Sequence, residues 1–150
     1  MHKVVATRRS VKVWLMALVL AVAVPLGVVW SQDYEAPTGD LATQLATAIQ
    51  HAGFSATAGE HAMAARHLGH VLNCIAGEGG DGFNAEWGHP CNGQGAGIAN
   101  DLASHPAAAD LAIVVEAARQ LAMQGVADGS LGSVQAAANG VRALLSVFAP

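Results

Sequence analysis

The position of two cysteines constrains this 150-residue chain more than any other feature. Cys74 closes the segment EHAMAARHLGHVLNC (Glu60–Cys74), whose spacing is helical, and Cys91 closes the glycine-rich stretch that follows. They are the only cysteines present, and two cysteines in an exported chain pair with each other. Such a bond folds the intervening loop back over one side of the helix. His67 and His70 lie on that side, and His89 stands two residues before Cys91. One short segment is therefore expected to gather three imidazoles beneath a covalent staple.

The N-terminus supplies the oxidising compartment this argument needs. His2, Lys3, Arg8, Arg9 and Lys12 precede an apolar run from Val13 to Trp30, broken only by Pro25 and Gly27. Basic, then apolar, then polar is the order of an export signal. Uncut, the run is long enough to span a bilayer, with the basic end cytoplasmic and the rest outside. Residues 1–31 thus read as a cleaved signal peptide or a retained membrane anchor. The body is expected in the periplasm or beyond the cell, secreted or N-terminally anchored. Thr7–Lys12 also resembles a twin-arginine signal, a route that carries folded proteins.

Beyond residue 31 the balance of charge shifts. Only Arg66, Arg119 and Arg142 remain as cations, against all eleven acids, and every lysine belongs to the N-terminal segment. An acidic body with three scattered arginines has no footprint for a phosphate backbone, which excludes nucleic acid as a partner. Six of the seven histidines lie in this body.

Hydrophobic periodicity divides the body into helices. Residues 32–39 form a polar linker, and residues 40–150 form one helical domain. Helix one starts at the N-cap Asp40 and runs to about His51, with Gly53 ending it. Helix two starts near Thr57, where Thr57 and Glu60 make a capping box, and stops at Gly77. Helix three spans about Ala96 to Ser104 before Pro106. Helix four covers Ala107–Gln124 and helix five about Ser130–Phe148. With no strand-period alternation, the expected fold is all-α: an antiparallel four-helix bundle with a broken third element and a long stapled loop.

At about 100° per residue, Ala64, Ala65, Leu68, Val71, Leu72 and Ile75 share the core side of helix two. Met63, His67, His70 and Cys74 share the other. Two imidazoles at i, i+3 chelate zinc or copper when a further ligand arrives. His89 is the natural third, with Met63 a soft fourth for copper, or Glu78, Asp81 or Glu86 an oxygen donor. The alternative is that His67 and His70 hydrogen-bond loop carbonyls and only pin the loop. A second candidate site joins His51, His61 and His105, since His51 and His61 flank one helix–helix turn. The alternative is that His61, on the apolar face, is a core histidine hydrogen-bonded to a neighbouring helix, and that His105, before Pro106, is a cap or surface residue.

The loop Gly77–Gly97 carries Glu78, Asp81, Asn84, Glu86, Asn92 and Gln94 among eight glycines. Oxygen ligands on such a loop suit calcium, a lesser candidate because the EF-hand order is absent. Gly93–Gly97 before a helix is a candidate anion cradle. The chain has no C-x-x-C-H, which excludes covalent c-type haem, and no H-E-x-x-H, G-x-S-x-G or P-loop.

The block His67–Asp101 resembles small exported bacterial helical proteins of unassigned activity. In these an H-x-x-H-x-x-N helix precedes a glycine-rich loop with a proline and G-x-G before an acidic residue. The matching positions are His67, His70, Asn73, Gly77, Pro90, Gly95, Gly97 and Asp101. The resemblance implies that this block acts as a unit. The sequence thus points to a non-catalytic metal- or cofactor-binding protein. The alternative is a structural module of an envelope or membrane complex, with a protein partner there and the N-terminal segment as its anchor.

Overall fold

The computed structural model describes residues 39–148. The expected signal or anchor over residues 1–31 lies outside the described residues. The described residues form five α-helices joined by turns and short 3₁₀ segments, with no strand among them. No helix among them is long and apolar enough to cross a membrane.

Helix α1 (Leu41–Thr57) starts where Asp40 accepts a hydrogen bond from the Thr43 amide at 3.1 Å. This satisfies one of the donors that a helix start leaves free. Its buried face is Gln44, Leu45, Ala48, Ala52 and Ser55. Gly53 does not end it, contrary to expectation. The last turn survives because Ser55 is fully buried and its hydroxyl donates to the Ala64 carbonyl at 2.8 Å, tying the two helices together. The expected capping box also fails. Thr57 belongs to α1, its hydroxyl donates to the Gly53 carbonyl, and no side chain caps the next helix.

Helix α2 (His61–Ala76) follows a three-residue turn, folds back along α1, and ends at Gly77. Gly77 takes φ 72° with its amide on the Asn73 carbonyl, a conformation that suits glycine. From Leu68 onward α2 is buried all round except at His70. One face meets the other helices and the opposite face meets the loop. Helix α3 is a single turn, Ile98–Asp101, continued by a 3₁₀ segment to Ser104. Helices α4 (Ala108–Ala127) and α5 (Leu131–Leu145) complete the body. Here α4 runs through Gly125, one turn beyond its expected end.

Helix α1 packs on α2 and α5, and α4 packs on α2 and α5. Leu45, Leu68, Val71, Ile75, Val134 and Val141 fill the space between them. Ala48, Ala52, Ala64, Ala118, Ala122 and Ala138 are wholly buried. These small side chains let the backbones approach closely.

Cys74 and Cys91 form the disulfide, with their Cα atoms 5.2 Å apart. Both are buried. The loop is held a second time by Asn73, also fully buried. Its amide donates to the Asn84 carbonyl at 2.7 Å and the Gly88 carbonyl at 2.6 Å, and its oxygen accepts from the Asn84 amide at 2.8 Å. A third anchor comes from α1. Buried Gln44 donates to the Asp101 carboxylate at 2.6 Å and accepts from the Gly97 amide at 3.1 Å.

Candidate metal centre

Helices α1 and α2 meet as a hairpin around Gly59. Residues equally distant from that turn face each other, which sets His51 opposite His67 and within reach of His70. The Nδ1 atoms of His51 and His67 lie 3.1 Å apart, and those of His51 and His70 lie 3.0 Å apart. Among the described residues, His51, His67 and His70 are the only histidine, cysteine, aspartate or glutamate side chains that converge as a trio. One ligand atom from each lies within 4.8 Å of the others.

The contacts between these nitrogens cannot all be ordinary hydrogen bonds. One ring nitrogen carries either one N–H or one in-plane lone pair. His51 Nδ1 therefore serves one neighbour well, yet it faces two. A cation between the three rings would satisfy every lone pair at once. Zinc–nitrogen bonds of 2.0–2.1 Å at tetrahedral angles put ligand nitrogens about 3.3 Å apart. The two Nδ1–Nδ1 spacings from His51 fall within a few tenths of an ångström of that.

All three imidazoles are biased toward the neutral form that a metal ligand needs. Burial lowers the His51 pKa from 6.5 to about 4, and the neighbouring His70 and His67 push in the same direction. Burial also lowers His67, with Arg66 adding to the effect. For His70 burial is the largest cause and lowers the pKa, against the Trp87 main chain, which favours the charged form. Nδ1 is turned to His51, and the Gly88 backbone passes near Nε2. A main-chain acceptor on that far nitrogen would fix the tautomer and leave Nδ1 free for a metal.

Trp87 reaches this position across Gly69. A Cβ at residue 69 would meet the Trp87 indole Cγ at 2.5 Å, so the indole lies where any other side chain would project. Gly69 between the two histidines is thus part of the site's support. Phe54 completes the surroundings, with its ring centroid 5.5 Å from that of His51 and 5.3 Å from that of His67.

His67 and His70 stand together, as their spacing predicts. The third member is His51 and not His89, the natural candidate in sequence. The His89 ring packs instead against Phe83, ring centroids 5.1 Å apart. Met63 is half exposed and sits one turn before His67. The expected trio of His51, His61 and His105 is not assembled. His61 Nε2 lies 3.3 Å from the Asp128 carbonyl, and His105 Nδ1 accepts from the Ala107 amide at 3.1 Å. The signal for His51 was its equal count from the turn, hidden by ending α1 six residues early.

The loop carboxylates do not converge on a calcium-like site: Glu78, Asp81 and Glu86 all point to solvent. The suggested anion cradle is also filled from within. The Ala96 amide donates to Asp101, the Gly97 amide to Gln44 and the Gln94 amide to the Cys91 carbonyl. Loop pinning is done by Asn73, Gln44 and the disulfide, and of the trio only His70 touches the loop main chain. A separate cleft of about 430 Å³ lies between α2, the loop and α4, lined by Ile75, Leu102, Val115 and Arg119, and holds none of the histidines.

Comparison with known protein families, with curated proteins and with solved structures finds no match to this chain.

Proposed function

We propose that this chain is an exported, non-catalytic helical protein that binds zinc or copper through His51, His67 and His70. The observation that carries the reading is His51 Nδ1 facing two other ring nitrogens at 3.0 and 3.1 Å, all three rings favoured neutral. The closed ring of contacts among α1, α2, α4 and α5 supports an antiparallel four-helix bundle as the scaffold. The disulfide and the basic–apolar N-terminus support export to the periplasm, with residues 1–31 as signal or anchor. Imidazole donors suit both zinc and copper.

Metal titration of the purified full chain, with competing chelator, tests this. One zinc or copper ion per chain is expected. His51→Ala, His67→Ala and His70→Ala should each weaken binding at least about 100-fold, more than the 10–100-fold typical of removing a ligand's supporting partner. His89→Ala should leave the affinity unchanged. Equal loss in His89→Ala, or no saturable binding in the parent chain, would overturn the assignment.

A further inference from the structure

The trio supplies three imidazole donors, one ligand atom from each lying within 4.8 Å of the others. No aspartate or glutamate among the described residues joins them within 4.8 Å. Structural zinc sites are closed by four protein ligands, whereas sites with three protein ligands hold the fourth position for something else. Here all three histidines are partly exposed. Phe54, 45 % exposed, stands beside His51 and His67, an aromatic ring with no donor atom to offer.

Charge decides what would enter. Three neutral imidazoles leave the full charge of a divalent ion uncompensated. Arg66, one residue before His67, adds positive potential that both His67 and His70 feel. A cation in such surroundings gains most from a negative partner, and water is the weaker choice.

Resting on the metal-binding reading, we propose that the loaded trio holds a small monodentate anion at an open fourth position beside Phe54. The occupant is of the class of hydroxide, azide or thiocyanate, with one donor atom and little bulk. The competing occupant is the Met63 thioether, 52 % exposed and one helical turn from His67.

The full chain loaded with cobalt(II), a zinc substitute with visible absorption, is titrated with sodium azide. A saturable change in the cobalt bands is expected, with one azide per metal. Arg66→Gln should weaken azide about threefold at low salt while leaving cobalt stoichiometry intact. Met63→Leu should leave both spectrum and azide affinity unchanged. Cobalt bound with a spectrum that azide does not alter, or a spectrum that changes in Met63→Leu, overturns the open position and leaves the metal assignment standing. Failure to bind cobalt, zinc or copper at all removes both.

Discussion

His51 Nδ1 stands between two identical neighbours, and its protonation ties the histidine trio to folding. Folded, its pKa is held at about 4; in the unfolded chain it returns to 6.5. Between those values the unfolded state takes up a proton that the native state refuses. The histidine therefore opposes folding progressively as pH falls from 6.5 toward 4, and the full stability is present above 6.5. His67 and His70 are displaced in the same direction. The metal-free protein should show a lower urea midpoint at pH 5 than at pH 7 in the presence of chelator. His51→Gln should flatten that difference. An equal pH dependence in the parent and the variant would refute the linkage.

Between α2 and the loop, support for the site rests on a glycine and an asparagine in the run HLGHVLN. Gly69→Ala would place a methyl group against the Trp87 indole and move the main-chain partner of His70. Overpacking of this kind typically costs about 1–3 kcal/mol. Metal affinity should fall about 10–100-fold, as for loss of a group that orients a ligand. Denaturant unfolding and metal titration of Gly69→Ala check both; unchanged values would show that Trp87 does not support His70. Sequence periodicity made much of this legible. The two-faced character of α2, the N-cap at Asp40, the stop at Gly77 and the pairing of Cys74 with Cys91 all followed from local patterns. The end of α1 did not, because the Ser55–Ala64 hydrogen bond that carries the helix past Gly53 is a tertiary contact. That displacement hid His51 as the third member of the trio. His89 misled for the opposite reason: closeness in sequence to Cys91 says nothing of which way the ring is aimed, and it packs on Phe83.

Across the whole molecule, Asn73, Gln44 and the disulfide hold one loop from three directions. Removing the covalent anchor by Cys74→Ser with Cys91→Ser should lower stability by about 2–5 kcal/mol. The effect on metal affinity should be smaller than that of His51→Ala, since His51 and His67 sit on helices that pack without the loop. Thiol labelling of the unreduced, denatured parent chain should find no free cysteine; two labelled thiols per chain would refute the bond. The three histidines, Asn73 and both cysteines all fall between residues 51 and 91. Helices α4 and α5 contribute an apolar wall and none of the trio. The trio and its covalent staple are therefore encoded in one contiguous stretch, a hairpin and its loop. The other pair of helices reaches them only through the shared apolar core. A substitution in α4 or α5 that keeps the small residues should change stability before it changes the arrangement of the three rings.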